Sequence, residues 1–285
     1  MSAQTVTFAA RDGYPLRGEL VAPEAPRAGL LVTGGTGFPA RYYRRFAGLA
    51  AARGYVALTF DPRGIGASAP DDLGGFDMHY AQWGTLDAPA ALDRLAAAVH
   101  GLPLVHVAHS VGGHFLGLWD NAERVAAHAF ACVGSGYWRD HPPLDQAREL
   151  YFWHAYGPRS LRKHGYVARG GGWTGASLPR GVFEPWKRWC RNPRYFLDEI
   201  GEGALAAARF GAVHAPVRSW IYADDGVANA KTGPVMLGLY ENADRSLVLR
   251  APAEHGLPAI GHAGPFGRGK ERAAAELLDW LDGQL

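Results

Sequence analysis

The stretch "LVHVAHSVGGHF", Leu104 to Phe115, decides how the rest of the chain is read. A β-branched, apolar run stops at Ser110, and the glycine pair Gly112-Gly113 follows. A serine hydroxyl is a weak nucleophile until a base takes its proton and the backbone exposes it. A tight turn at a strand end does the second job, because it lifts the hydroxyl above the strand and points the next N–H at the reacting carbonyl. Such a turn is crowded, so the residues two before and two after the serine must be small. Ala108 and Gly112 meet that demand. The alternative is that Ser110 only caps a following helix. The strand before it and the glycines after it favour the nucleophile. His109 cannot be the base through this turn, since the residue before the serine points away from it. His106 and His114 read as structural, on strand and helix faces.

Strand-like and helix-like segments alternate on either side of this stretch. "QTVTFAA" and "PLRGELVAP" are joined by the turn "RDGY", which predicts an antiparallel start. "GLLVTGG", "YVALTFD", "LVHVAHS" and "AAHAFACVGS" are short apolar runs suited to strands buried on both faces. Between them "RYYRRFAGLAAARG" and "TLDAPAALDRLAAAVHG" carry helical spacing with glycine stops at Gly54 and Gly101. "VGGHFLGLWDNA" is expected to open a helix. Arg41 to Arg45, "RYYRR", reads as the solvated side of its helix. "PVRSWIYADD", "KTGPVMLGLYEN", "SLVLRAP" and "GKERAAAELLDWLDGQL" resume the rhythm as strand, helix, strand and terminal helix. The pattern predicts an α/β protein with a mostly parallel sheet covered by helices on both faces.

The rhythm breaks between residues 137 and 215. This region is expected to be a helical, aromatic-rich cap inserted after strand 6, with 1–136 and 216–285 forming the core. It holds Tyr137, Trp138, Tyr151, Phe152, Trp153, Tyr156, Trp173, Phe183, Trp186, Trp189, Tyr195 and Phe196. Some must build the insertion's own core, and the rest are expected to line an apolar pocket over the serine. "RGGGWTG", Arg169 to Gly175, reads as a mobile loop.

Composition excludes several classes. The chain has 285 residues, 48% of them apolar, enough for a sizeable core. Its 29 basic and 27 acidic residues leave a net charge of +2, which predicts no polyanionic partner and no nucleic-acid face. No apolar run is long enough to span a bilayer, and no secretory signal opens the chain, so a cytoplasmic location is expected. The two cysteines, Cys132 and Cys190, are expected as buried free thiols. No metal spacing is present, and the histidines around Ser110 cannot converge on one ion. A homodimer is compatible with these data, which do not set the oligomeric state.

With these residues in place the chain resembles the α/β-hydrolases. The serine elbow is one marker, and "FDPRGIGAS", Phe60 to Ser68, is similar to the strand-end D-x-R-G-x-G-x-S segment of many members. "LLVTGGTGFP" resembles their third-strand loop, with Thr33-Gly34 where many have His-Gly. A narrower likeness is to a group of uncharacterised bacterial serine hydrolases that share an A-H-S-x-G-G elbow, a Trp-rich insertion and a late I-G-H-x-G-x-F, here "IGHAGPF". The resemblance implies an eight-stranded, mostly parallel sheet with flanking helices, no cofactor, and a triad in the order serine, acid, histidine. His262 in "AIGHAGPFG" is the favoured base, and His255 in "APAEHGLP" the alternative. Asp225, at the end of "WIYADD", is the favoured acid, with Asp224 the alternative and Asp140 an outside candidate. The Val111 N–H and the Gly35 N–H are expected to form the oxyanion hole, with Thr36 next after Gly35. The implied activity is cleavage of an ester or thioester with an apolar acyl or aryl group through an acyl-enzyme. An acyltransferase with the same triad and a non-catalytic, hydrolase-like ligand-binding protein are the competing readings.

Overall fold

The computed structural model describes residues 2–285. The chain opens with β1 (Ser2–Ala9) and β2 (Pro15–Ala22), and continues with β3 (Ala28–Thr33), α1 (Arg44–Ala52), β4 (Tyr55–Asp61), α2 (Ala88–Val99), β5 (Leu104–His109) and β6 (Val125–Ala131). The segment that follows carries α3 (Pro143–Tyr151), α4 (Gly157–His164), the two-residue strands β7 (Tyr166–Val167) and β8 (Leu178–Pro179), and α5 (Arg180–Arg191). Then come β9 (Val217–Tyr222), α6 (Thr232–Leu237), β10 (Arg245–Arg250) and α7 (Glu271–Asp282). Eight strands form one sheet in the order β1-β2-β4-β3-β5-β6-β9-β10. The β1–β2 and β2–β4 pairings are antiparallel, and every pairing from β4 to β10 is parallel.

The parallel strands are buried on both faces because each face carries its own core. β3, β4 and β5 are buried at every position. On one face Phe46 and Ala50 of α1 and Leu277 and Leu281 of α7 pack against Val32, Val105 and Trp220. On the other, Leu92 and Leu95 of α2 join Leu31 and Leu58, and that core runs on into Trp153, Phe183 and Trp189 of the segment between β6 and β9. One continuous hydrophobic cluster thus anchors that aromatic segment to the sheet.

Two expectations are corrected. No α-helix follows the elbow; Ser110–Gly113 and Leu116–Leu118 are single 3-10 turns. The carbonyls that a helix would use for its own N–H groups are taken by outside donors. Thr33 Oγ1 donates to the Gly112 carbonyl (3.0 Å), Tyr240 Oη to Gly113 (2.6 Å) and the Arg209 N–H to Gly117 (2.7 Å). The "RYYRR" segment is also not a solvated face throughout. Tyr43 is buried between α1 and the sheet, while the arginines on either side of it are exposed.

A hydrogen-bonded wire crosses the middle of the sheet. Thr33 Oγ1 spends its proton on Gly112, so it accepts from His106 Nε2–H (2.7 Å). Burial keeps His106 neutral, so its bare Nδ1 accepts from His128 Nδ1–H (3.1 Å). Burial pushes His109, His114 and His128 down to about 3, and holds His106 well below the ordinary imidazole value. These folded-state values lie below the ordinary histidine value of about 6.5 that the unfolded chain recovers. Stability from these groups is therefore complete above about pH 6.5 and is lost as pH falls, by up to ~1.4 kcal/mol per pH unit for each histidine. Urea denaturation between pH 7.5 and pH 4.5 is expected to show stability falling steeply below pH 6.5. A flat profile across that range would contradict neutral burial.

Candidate active site

Ser110 sits at the end of β5 with φ 51°, a left-handed conformation that residues with a Cβ rarely adopt. The turn is tight enough that a Cβ on Gly112 would lie 2.3 Å from the Thr33 carbonyl oxygen. Gly113 is closed off in the same way by Val133, at 2.8 Å. Small residues are therefore a steric requirement of the turn. Ala108, fully buried and paired with Thr33 and Phe130, fills the position two before the serine.

The structure brings Ser110, His262 and Asp225 together. Ser110 Oγ lies 3.0 Å from His262 Nε2, and His262 Nδ1 lies 3.0 Å from both carboxylate oxygens of Asp225. Asp225 is buried, and its Oδ1 also accepts from the Val227 N–H (2.8 Å) and the Ala228 N–H (3.0 Å). Burial would raise this carboxyl. The facing His262 and the two N–H donors outweigh it and hold Asp225 below the ordinary carboxylate value. Burial likewise pushes His262 down, and the Asp225 carboxylate more than reverses it, so His262 lies above the ordinary imidazole value.

The alternatives are placed elsewhere. Asp224 Oδ2 accepts from the Ile260 N–H (2.8 Å), which fastens the loop that carries His262. His255 faces Glu276 of α7, with Nε2 3.4 Å from a carboxylate oxygen. Asp140 meets the loop that carries Asp225 through its backbone carbonyl, which accepts from Asn229 Nδ2 (3.0 Å).

Gly35 does not offer its N–H to the cavity. That N–H donates to Tyr43 Oη (2.8 Å), and Tyr43 passes its own proton to His109 Nδ1 (2.7 Å). His109 Nε2–H then donates to the backbone carbonyl of His262 (2.8 Å). Only the Nε2–H tautomer satisfies both ends, and burial keeps the ring neutral. Tyr43 was hidden in the sequence by its arginine neighbours. The Thr36 N–H, one residue on from Gly35, has no protein acceptor among the described residues. As an early N–H of the 3-10 turn, Val111 has no partner within that turn. Thr36, Val111, Ser110 and His262 line one cavity of about 1030 Å³.

Tyr151, Phe152, Trp153, Trp173, Trp186 and Tyr195 line the cavity, and of these Trp153 and Tyr195 also belong to the buried core. Phe183, Trp189 and Phe196 are buried in the core without lining it. Trp173 stacks on Phe152 (5.2 Å between centroids) and meets the edge of Trp186 (5.9 Å). Its loop, with positive φ at Gly170, Gly171 and Gly172, is fastened to the β3 loop where the Ala176 N–H donates to the Gly37 carbonyl (2.8 Å).

This architecture is the α/β-hydrolase fold. The chain is similar to the esterase domain of a Rhodothermus marinus protein at 18% identity, covering 100% of this chain and 98% of that one, with a TM-score of 0.58. It is similar to an α/β hydrolase from Penicillium sp. sh18 at 18% identity, covering 100% and 99%, with a TM-score of 0.59. A haloalkane dehalogenase loop variant from Bradyrhizobium elkanii matches at 14% identity over 99% and 97%, with a TM-score of 0.63. No protein-family model and no curated protein matches the chain. At these identities the likeness is one of fold, and esterases and a dehalogenase share it, so chemistry must be argued from the site. No helix among the described residues is long and apolar enough to cross a membrane.

The Gly35–Tyr43–His109–His262 chain predicts a stability effect. His109→Phe strands the Tyr43 hydroxyl and the His262 carbonyl and is expected to cost about 2–4 kcal/mol in urea denaturation. His109→Gln, whose amide N–H reaches the same carbonyl, should recover part of that loss. Equal losses in the two variants would mean that ring packing, not the hydrogen bonds, is what matters.

Proposed function

We propose that the protein is a serine hydrolase that cleaves an ester or thioester with an apolar acyl or aryl group. The observation that carries this is the 3.0 Å contact of Ser110 Oγ with His262 Nε2, backed by Asp225 at 3.0 Å on the other ring nitrogen. Ser110 attacks the carbonyl carbon while His262 takes its proton, and Asp225 holds the ring in the tautomer that leaves Nε2 free. The N–H groups of Val111 and Thr36 hold the oxyanion. Thr36 replaces Gly35 in this role because the Gly35 N–H is committed to Tyr43. As the leaving group departs, His262 returns the proton to it. Water, activated by the same ring, then attacks the acyl-enzyme carbonyl and frees Ser110.

Residues 137–215 act as the cap, and the aromatic side chains they place over Ser110 bind the acyl or aryl group. Excluding water there strengthens every electrostatic contact at the reacting carbonyl. A pocket of this volume accommodates a medium-length acyl chain or an aromatic acid more readily than acetate.

Two outcomes test the reading. With 4-nitrophenyl hexanoate, Ser110→Ala is expected to abolish turnover and Asp225→Asn to lower kcat by about 10³–10⁴. His255→Ala should leave turnover intact; loss in that variant, with His262→Ala active, would move the base to His255. The base must be neutral, so kcat/KM falls as pH drops through the His262 pKa. The acid limb should have its midpoint above about pH 6.5. A midpoint well below that value would contradict the charge coupling of His262 to Asp225.

A further inference from the structure

A second groove, of about 540 Å³, opens beside the serine cavity and is lined by Arg41, Arg44, Arg45 and Arg268. Its other lining residues are Tyr42, Phe266 and glycines, and no carboxylate is among them. Arg44 is paired with Glu19 and Arg45 with Glu271. Arg41 and Arg268 make no ion pair among the described residues. The net charge of +2 for the whole chain conceals this local excess. The groove adjoins the cavity, because Arg41 and Tyr42 line both. It also borders the base, since Tyr42 Oη donates to the carbonyl of Ala263, next to His262 (2.8 Å). In the serine cavity Arg169 makes no ion pair among the described residues, and the one carboxylate in that lining, Glu149, faces His141.

Unpaired guanidinium groups around a groove form a site for an anion with several oxygen atoms, because their planar forks match phosphate and carboxylate geometry. A single carboxylate would fill little of the groove and would meet one fork. We propose that this groove binds the phosphate-bearing half of the substrate, so that the substrate is a thioester with an apolar acyl group in the cavity and a polyanionic thiol in the groove. The proposal rests on the serine-hydrolase reading for which half reacts. Ser110 Oγ forms the acyl bond, the C–S bond breaks, His262 gives its proton to the departing thiolate, and water then releases the carboxylic acid. Arg41 and Arg268 hold the phosphate groups, and Arg41, shared by both spaces, marks where the two halves of the substrate meet.

The binding arm of the test uses Ser110→Ala protein and free coenzyme A in titration calorimetry, so it does not depend on turnover. Saturable binding is expected, weakened at least tenfold by R41Q/R268Q and by raising NaCl from 50 to 500 mM. The exposed control Arg162→Gln should bind as the parent does. Inorganic pyrophosphate is expected to compete, but more weakly than coenzyme A; equal affinity would make the groove a site for free phosphate and overturn the substrate assignment. In the turnover arm, wild type is expected to prefer hexanoyl-coenzyme A over the hexanoyl thioester of N-acetylcysteamine by at least tenfold in kcat/KM, and R41Q/R268Q to lose that preference. Absence of binding, or binding and preference that survive R41Q/R268Q, overturns the anion site. Failure of the serine-hydrolase reading looks different: coenzyme A binds as expected, and neither thioester is cleaved.

Discussion

Ser110 is held in a left-handed backbone conformation, and the fold around it depends on keeping it there. A non-glycine residue in this region costs about 1–3 kcal/mol, which surrounding contacts must offset. Here the offset comes from both sides of the turn. The Thr33 hydroxyl donates to Gly112, and the bare van der Waals fit of Gly112 against the Thr33 backbone leaves no room for any other residue. Thr33 is in turn the terminus of the His106–His128 wire buried in the sheet. The elbow is thus a property of three neighbouring strands, β3, β5 and β6, rather than of one pentapeptide.

Four strands of the sheet set the positions of the groups gathered at the cavity. β3 delivers Thr36, β5 delivers Ser110 and Val111, and the loops after β9 and β10 deliver Asp225 and His262. The Gly35–Tyr43–His109 relay joins two of these deliveries, since it begins on the β3 loop and ends on the backbone of His262. It uses up the Gly35 N–H and in exchange holds the backbone at His262. Burial keeps His109 neutral, and with its proton on Nε2 the ring accepts from Tyr43 and donates to the His262 carbonyl.

Much of this was legible in the residues. The eight-stranded, mostly parallel sheet with flanking helices followed from spacing and from the family resemblance. The same reading put Ser110, Asp225 and His262 forward as a set, and those three side chains lie within hydrogen-bond distance of one another. Other features were not legible because they are tertiary. "VGGHFLGLW" has the pattern of a helix start, but its carbonyls at Gly112, Gly113 and Gly117 accept from Thr33, Tyr240 and Arg209, all distant in sequence. "RYYRR" looked solvated because three charges hide one buried tyrosine. Gly35 and Thr36 are adjacent, and the hydroxyl that takes the Gly35 N–H comes from Tyr43, just before α1. Which aromatic residues of the insertion line the cavity depends on how α3 and α5 pack.

The central claim is that Ser110 is an activated nucleophile. The most direct measurement is to treat the protein with a fluorophosphonate and map the adduct by peptide mass spectrometry. A single adduct on Ser110, absent in His262→Ala and in heat-unfolded protein, is the predicted result. No adduct, or an adduct on another residue that persists in Ser110→Ala, would contradict the account.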